Sequence, residues 1–361
     1  MPMDQTVELL KTLSEAHAVT GCEDDLREII AARLAPLATS SRTDALGNLI
    51  VELPTTAPDD APLLMLDAHM DEIGLIVSFI EPNGYLRFAT IGGWDERVLP
   101  SHAVDVRTYD GQIMRGVIGT PPPHILKPEE RSKPFTVESL FIDIGARNAE
   151  EVATRGVAVG DSVTISYPFH RLTPDVVMGK ALDNRAGCTV LISVLERLLS
   201  GGQPADLPVR LVAVFSTREE IGGFGARVAS YDIRPDIALV LEGTVAADCP
   251  GVPAARMPSR QGNGPAITHI DRSAISPRRL VKFVEQLADD NGIAHQQKTP
   301  IFGGTNAGPI HTAHAGVPVM VLSVPCRYIH SAHATLRVDD LRQTIDLATL
   351  FVQQCDRYLR N

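Results

Sequence analysis

The chain has 361 residues, more than one compact core usually contains, so we expect one large domain and a smaller one. Hydrophobic residues make up 44% of the sequence and charged residues 21%, which is typical of a globular protein and disfavours long disordered segments. The formal net charge of -11 disfavours nucleic acid or an anionic membrane as the main partner.

The first part of the chain predicts two helices followed by two strands. Apolar residues recur at helical spacing over the first 35 or so positions, with a break at Gly21. Strands are predicted at residues 48–53 and 62–68. The second strand is strongly apolar and leads directly into His69-Met70-Asp71.

Between about Ile73 and Pro168 the sequence pattern changes. Short stretches rich in β-branched residues alternate with turn signals such as Asn83-Gly84. One helix-like segment, at residues 148–155, interrupts them. This spacing predicts a small β-barrel or β-sandwich inserted into the larger domain.

From Met178 onward, helices and strands alternate again. This pattern predicts an α/β fold whose mainly parallel sheet is covered by helices on both faces. The domains are therefore predicted as residues 1–72 and 169–361 for the main domain, with residues 73–168 as the insertion. Helices are predicted at 185–199, 225–230, 277–291 and 338–359, and strands at 210–216, 237–241, 266–270 and 318–324.

The compartment is indicated by the cysteines and the N-terminus. Five cysteines lie far apart without a C-x-x-C pair, as in a reduced cytosolic protein. The N-terminus lacks the basic and apolar regions of a secretion signal, and no run approaches the ~20 apolar residues of a membrane span. We expect a soluble protein located in the cytoplasm.

Several apolar strands are followed by residues suited to metal binding. Ligands in open α/β sheets collect at the carboxyl ends of the strands, so we expect these residues to lie together. Each of these residues, taken alone, could also have an ordinary structural role. Paired glutamates, for example, are common at a solvent-exposed helix N-terminus, where they interact favourably with the helix dipole. As a set, two imidazoles and several carboxylates are typical of zinc, cobalt or manganese rather than calcium. The residues are His69, Asp71, Asp183, Glu219, Glu220, Glu242 and His330.

There are more candidate ligands than one metal ion needs, which indicates a site for two metal ions. A bridging carboxylate, which we assign to Asp183, would hold them ~3.5–4 Å apart, the spacing used to activate one water for hydrolysis. Adjacent glutamates project differently, so Glu220 can bind a metal while Glu219 acts as general base. Asp71 could accept the second imidazole N–H of His69 and so orient the ring.

Seven segments, in order over nearly the whole chain, resemble the tetrahedral, glutamyl or deblocking aminopeptidase family of dinuclear metallopeptidases. They are DAHMDEIG, GVIGTPPPHIL, GKALDNRAGC, STREEIGGFGA, LEGTVAAD, GGTNAGPIH and RYIHS. The resemblance implies a β-rich dimerisation domain, hollow tetrahedral dodecamers and short peptides as substrates. It also implies the site roles: His69, Asp183 and Glu242 on one metal, Asp183, Glu220 and His330 on the other, Glu219 as base and Asp71 as orienting carboxylate.

Three positions depart from that family pattern. Glu242 stands where many members have Asp, which changes the reach of the ligand more than its chemistry. Asn306 occupies a position that is often Asp, and Ala334 one that is often Glu. We expect both to lie near the substrate pocket and to bear on specificity. The preferred N-terminal residue, whether acidic, basic or apolar, stays open.

Other function classes fit the sequence less well. Dinuclear carboxypeptidases and deacylases share the ligand order, but their insertion follows the fourth ligand. Here about 110 residues separate Asp71 from Asp183, and about 20 separate Glu220 from Glu242. An endoglucanase would need two facing carboxylates and no metal, which leaves the histidines unexplained. A non-catalytic shell on this fold would be marked by lost ligands, and none is lost.

Overall fold

The computed structural model describes residues 3–122, 124–131, 133–298 and 301–360. The helices are α1 (Met3–Glu15), α2 (Asp24–Leu34), α3 (Pro128–Arg131), α4 (Ala149–Thr154), α5 (Leu182–Leu198), α6 (Phe224–Ile233), α7 (Arg278–Asp290), α8 (Ala307–His311), α9 (Val338–Gln354) and α10 (Asp356–Leu359). None of the helices in these ranges combines the length and the low polarity that crossing a bilayer requires.

The strands form a mixed sheet and a closed barrel. The sheet has the order β1-β2-β12-β3-β13-β16-β17-β11-β10, with β14 and β15 attached to β16, and the barrel has the order β4-β5-β8-β7-β6-β9. The strands are β1 (Ser40–Thr43), β2 (Leu49–Leu53), β3 (Leu63–His69), β4 (Gly74–Ile80), β5 (Leu86–Ile91), β6 (Ala103–Arg107), β7 (Ile113–Gly119), β8 (Phe141–Asp143), β9 (Ser162–Ile165), β10 (His170–Thr173), β11 (Val176–Gly179), β12 (Arg210–Ser216), β13 (Ile237–Val245), β14 (Ala266–Thr268), β15 (Gln296–Lys298), β16 (Val319–Arg327) and β17 (Ala334–Arg337).

The centre of the sheet is parallel and buried on both faces. Strands β12, β3, β13 and β16 pair in parallel, whereas the flanking strands β2 and β17 pair antiparallel to it. Along β13, Leu239 and Leu241 enter a core formed with α1, α2, α5, α7 and α9. The intervening Ala238 and Val240 enter a second core formed with α6 and α8. The predicted fold class is therefore confirmed, and a further parallel pair, β14 with β15, lies beside the main order of the sheet.

This alternation sets the direction of the polar residues at the strand ends. In a strand, residues two apart point to the same face. His69 lies four residues after Met65 on β3, and Glu242 lies two residues after Val240 on β13. Both side chains therefore point to the same face of the sheet as Met65 and Val240, the face covered by α6 and α8. The carboxyl edge of the sheet thus presents its polar groups on one side.

The barrel occupies the chain between β3 and β10, and its strands pair antiparallel around a separate apolar core. Its turn at Gly84 has φ +88, and a Cβ there would lie 2.6 Å from the carbonyl oxygen of Ala146, so the position requires glycine. The boundaries at residues 72 and 168 stay a prediction.

Several predicted elements differ from the observed ones. The predicted C-terminal helix is interrupted after Gln354, where α9 ends and the short α10 begins beyond Cys355. Strand β13 extends to Val245, so Glu242 lies inside the strand and not after it. Strands β1 and β10 were not predicted because their side chains are all exposed and therefore show no apolar alternation.

A buried cluster of charged side chains joins the barrel, the N-terminal helices and the sheet. The carboxylate of Glu72 accepts hydrogen bonds from Lys180 Nζ at 2.7 and 2.9 Å and from the Arg185 guanidinium at 3.2 Å. It also accepts from Thr164 of β9 at 3.1 Å. Arg185, which is fully buried, donates to the carbonyl oxygen of Met70. The cluster therefore holds the segment between His69 and the barrel in place.

Replacing the central carboxylate of this cluster should destabilise the protein strongly. Glu72→Gln leaves two buried cations without their counter-ion, and breaking a buried pair in this way costs about 3–5 kcal/mol. We expect the free energy of unfolding to fall by roughly that amount in chemical denaturation. The matched control is Glu151→Gln, the same change at the exposed pair with Arg147, which should have little effect. Equal losses in both variants would contradict this role for Glu72.

Candidate metal centre and active site

The structure brings the predicted ligands together at the carboxyl edge of the sheet. His69 ends β3, and its Nε2 lies 3.3 Å from Asp183 Oδ1 and 3.5 Å from Glu242 Oε2. Asp183 is supplied by the start of α5, and Glu242 by β13. Ligand atoms of these three residues all lie within 4.8 Å of one another. They therefore form one group that could hold a cation.

A second group lies on the other side of Asp183. His330 Nε2 lies 3.3 Å from Glu220 Oε2 and 3.7 Å from Asp183 Oδ2. Ligand atoms of Asp183, Glu220 and His330 also fall within 4.8 Å of one another. The two oxygens of Asp183 thus face different imidazoles, which is the geometry of a bridging carboxylate.

Glu219 lies at the border of these groups. Its Oε2 is 4.0 Å from His69 Nε2, farther than the carboxylates of Asp183 and Glu242. Together with His69 and Glu220 it forms a third set of candidate ligand atoms within 4.8 Å. Glu219 is therefore close to the cluster, with a looser contact to it than the other carboxylates have.

Asp71 holds the paired glutamates through their backbone. Its Oδ1 accepts a hydrogen bond from Glu219 N at 3.0 Å, and its Oδ2 accepts from Glu220 N at 3.2 Å and from Thr20 Oγ1 at 2.8 Å. His69 Nδ1 lies 3.5 Å from Asp71 Oδ1 but only 3.0 Å from the Asp71 carbonyl oxygen. The carbonyl thus makes the shorter contact with the ring, and the carboxylate also positions the Glu219-Glu220 turn, which the sequence did not predict.

Asn184 holds the segment that carries Asp183 against β13. Its side chain is fully buried, donates to the carbonyl oxygen of Leu241 at 2.8 Å and accepts from Gly243 N at 2.8 Å. A Cβ at Gly243 would lie 3.2 Å from the Cα of Asp183, so a glycine permits the close approach. These contacts set the distance between Asp183 and Glu242, and sequence reasoning did not identify Asn184.

The barrel contributes to the site through the loop after β5. His330 Nδ1 lies 2.9 Å from the carbonyl oxygen of Gly93, and Gly93 also lines the cavity over the ligands. Since the other ring nitrogen faces Glu220, this contact orients the imidazole toward the cluster. The inserted region is thus part of the site and is not only an appendage.

Burial and mutual repulsion shift the acidity of the clustered groups. Burial raises the pKa of Glu242 to about 7 and that of Glu219 well above its ordinary range. Burial alone would lower the pKa of His330, but the hydrogen bond to Glu220 and the negative charges of Glu220 and Asp183 together outweigh this effect and raise the pKa to about 9. Crowded carboxylates that resist ionisation are stabilised by a cation between them.

The donor set fits divalent ions. Glu242 Oε1 is buried and has no hydrogen-bond partner among the described residues, although its Oε2 faces His69. An unpartnered carboxylate oxygen inside a cluster of imidazole and carboxylate donors is a ready position for a metal of the zinc, cobalt or manganese type.

The cluster opens into a cavity of about 610 Å³. Its walls include Thr244 and Val245 of β13, the glycine turns at 222–223 and 303–304, and Lys298 of β15. This volume is in the range that holds a small molecule or part of a peptide.

The two positions expected to affect specificity lie beside the site, and their effect on specificity stays a prediction. Asn306 is fully buried next to the cavity wall and donates to Asp67 at 2.8 Å and to Ser216 at 2.9 Å. Ala334 is buried in β17 and lines a pocket that two of the clustered residues also line. The polar pair of Asp67 and Asn306 supports the strand end that carries His69.

Comparison with known proteins places these features in context. The family model described as M42 glutamyl aminopeptidase matches residues 47–347. A lysyl aminopeptidase of Pyrococcus furiosus is 31% identical over 350 residues, covering 96% of each chain. The structure is similar to the TET aminopeptidase from a marine sediment Thaumarchaeota archaeon, with a TM-score of 0.93, 36% identity, and coverage of 98% of this chain and 97% of that one. It is also similar to the TET1 peptidase of Pyrococcus horikoshii, described as assembling into a tetrahedron or a large octahedral shell, with a TM-score of 0.85, 32% identity and coverage of 96% and 99%.

A side chain at Gly93 should disturb one half of the cluster selectively. A Cβ there would lie 3.2 Å from His330 Nδ1, and the branched side chain of Gly93→Val would displace the ring. Loss of such a supporting contact lowers metal affinity by about 10- to 100-fold. We expect zinc titrations to show one weakened site. Gly201→Val is the control, because Gly201 faces open space, and the same loss there would refute the assignment.

Proposed function

Because the chain belongs to the M42 glutamyl aminopeptidase family and is an aminopeptidase, we propose that two divalent metal ions at this site serve the removal of N-terminal residues from short peptides. The family resemblance drawn from the sequence is confirmed by the family match over residues 47–347. The observation that carries the two-metal proposal is the placement of Asp183, whose separate oxygens face His69 and His330.

The proposed ligands divide into two sets that share one residue. Bound metal ions of this kind polarise a carbonyl group and lower the pKa of water, which makes it a nucleophile near neutral pH. Zinc or cobalt, with manganese as a further candidate, suits this mixture of imidazole and carboxylate donors. The sets are His69, Asp183 and Glu242 for one ion, and Asp183, Glu220 and His330 for the other.

Glu219 is the proposed general base. It takes a proton from the water that attacks the scissile carbonyl carbon, and it returns that proton to the departing amine as the C–N bond breaks. Burial raises its pKa, which suits a group that must be protonated and deprotonated in one cycle. The hydrogen bond from Glu219 N to Asp71 holds the residue in place. Asp71 thus acts as a positioning residue in this proposal.

The position of the inserted barrel supports the removal of N-terminal residues over the related activities. The barrel lies between Asp71 and Asp183, whereas in the carboxypeptidase and deacylase alternative the insertion follows the fourth ligand.

Assembly and location are further parts of the proposal. We expect the barrel to form dimers that build a tetrahedral dodecamer, as the similarity to self-assembling TET1 suggests. Its exposed apolar side chains Phe79, Tyr109 and Ile113 are suited to such a contact. We also expect the protein to work in the cytoplasm. Static light scattering would measure the mass of the assembly, and a monomer at micromolar concentration would contradict this part.

The roles of the two glutamates are tested by a pair of variants. Glu219→Gln should keep its metal and lose turnover of aminoacyl-arylamides by a factor of ~10² or more, because the base is removed. Glu220→Gln should lose part of its metal, because a ligand is removed. Metal content by plasma emission and initial rates measure the two effects. If Glu219→Gln loses metal and Glu220→Gln does not, the roles are reversed.

Dependence on the metal itself is tested by removal and restoration. Chelation of the wild-type protein should abolish arylamide hydrolysis, and added cobalt or zinc should restore it. Circular dichroism before and after chelation controls for unfolding. Hydrolysis that survives with metal below one ion per ten chains would overturn the metal mechanism.

A further inference from the structure

A second cavity adjoins the active-site cavity at the end of β13. It has a volume of about 360 Å³, and Val245 and Phe302 line both cavities. Val245 lies three residues after Glu242 on that strand, which is about 10 Å along it at the rise of a β-strand. The second cavity is therefore continuous with the site and lies beyond the proposed metal ligands.

The walls of this second cavity are apolar except at one residue. Among the described residues that line it, only Arg256 is charged. Pro258 is buried, Val252 is half-buried and Phe302 is 38% exposed, so apolar surface faces the opening. Arg256 is exposed and makes no ion pair within the described part of the chain. We call this cavity the apolar pocket, formed by Val245, Val252, Pro253, Arg256, Pro258 and Phe302.

The loop that forms the wall of the apolar pocket is bonded to the sheet. Ala247 N donates to the carbonyl oxygen of Ser259 at 3.1 Å, and Ser259 Oγ donates to the carbonyl oxygen of Val245 at 2.8 Å. Asp248 accepts two hydrogen bonds from the guanidinium of Arg327, at 2.9 and 2.5 Å. The pocket is therefore preformed, and little ordering of the protein opposes the entry of a ligand.

The distance from the metal ligands decides which part of a peptide reaches the apolar pocket. In the proposed reaction the carbonyl group of the first residue lies at the metal ligands, so the first side chain fills the larger cavity. The Cα of the third residue of an extended peptide lies about 7 Å from that of the first, and its side chain reaches farther. The third side chain is therefore the one that spans the distance from Glu242 to the pocket.

The position of Arg256 fits the end of such a peptide. A tripeptide ends at its third residue, so its free carboxylate lies beside the side chain that enters the pocket. Arginine binds carboxylates through two parallel N–H groups, and the alkyl stem of an exposed arginine packs along apolar surface. An apolar side chain with an adjacent anion thus matches the apolar pocket and its one cation.

We propose that the apolar pocket binds the third residue of tripeptides, with an apolar side chain such as Leu inside it and the terminal carboxylate on Arg256. This inference rests on the proposed function and assigns the specificity of the same site for the far end of the peptide. The N-terminal residue plays no part in this selection.

The test of the apolar contact compares the tripeptides X-Ala-Leu and X-Ala-Ser, where X is the N-terminal residue that the wild type removes fastest. Burial of a leucine side chain supports a preference of about 10- to 100-fold in kcat/KM, and we expect the metal-loaded wild type to show it. Val252→Asp places a charge in the pocket and should reduce the ratio to about one. The control Val159→Asp, the same change at an exposed valine, should keep it. Each ratio is taken within one variant, so a loss of folded protein cancels.

The carboxylate contact is tested with C-terminal amides. The wild type should hydrolyse X-Ala-Leu about two- to five-fold more efficiently than its amide, since solvent weakens an exposed ion pair. Arg256→Met should bring this ratio to about one, and Arg256→Lys should keep most of it. The control Arg260→Met, at an exposed arginine of the same loop, should keep all of it. Added salt should lower the wild-type ratio.

Several results would overturn the inference. One is equal hydrolysis of X-Ala-Leu and X-Ala-Ser by the wild type, and another is a preference that survives in Val252→Asp. If Val252→Asp instead changes the order of preferred N-terminal residues, the pocket binds the first side chain. If Val252→Asp lowers the mass of the assembly in static light scattering, a second copy of the chain covers the pocket.

A binding measurement separates this inference from the proposed function. Tripeptides whose first peptide bond is reduced to a CH2–NH link resist cleavage, and calorimetry should show about 10- to 100-fold tighter binding with Leu than with Ser at the third position. If this holds but no peptide or arylamide is hydrolysed, the proposed function fails while the pocket assignment stands. If arylamides are hydrolysed but the third residue affects neither binding nor rate, the pocket assignment fails alone.

Discussion

The structure depends on the crowding of carboxylates at one buried edge of the sheet. Asp183, Glu220 and Glu242 lie within a few ångströms of two imidazoles, and burial raises the pKa of both glutamates. Ionised carboxylates this close together destabilise one another, because like charges in a poorly hydrated site repel. A cation between the carboxylates would relieve this repulsion, and the surrounding contacts hold the members of the cluster at short range.

Those surrounding contacts come from the sheet, from the start of α5 and from the barrel. The strand alternation directs His69 and Glu242 to the face of α6 and α8. Asn184 ties Asp183 to β13, and the barrel loop at Gly93 orients His330. The buried charges around Glu72 link the barrel to the sheet. The positions of the clustered side chains therefore depend on hydrogen bonds from both the sheet and the barrel.

The fold class and the proximity of the candidate ligands could be predicted from the sequence because both depend on patterns visible along the chain. Apolar strands followed by polar residues indicate the carboxyl edge of a parallel sheet. The exposed strands β1 and β10 leave no such pattern. Contacts between distant segments, such as Gly93 with His330, have no local signal either. The sequence also did not reveal that the side chain of Asn306 is buried beside the cavity and bonded to Asp67.

The central claim is that Asp183 bridges two metal ions, and anomalous diffraction tests it most directly. Crystals of the protein loaded with zinc or cobalt would be measured on both sides of the metal absorption edge. The account predicts two anomalous peaks per chain, separated by ~3.5–4 Å, with one carboxylate oxygen of Asp183 directed at each. A single peak, or two peaks that Asp183 does not join, would contradict it.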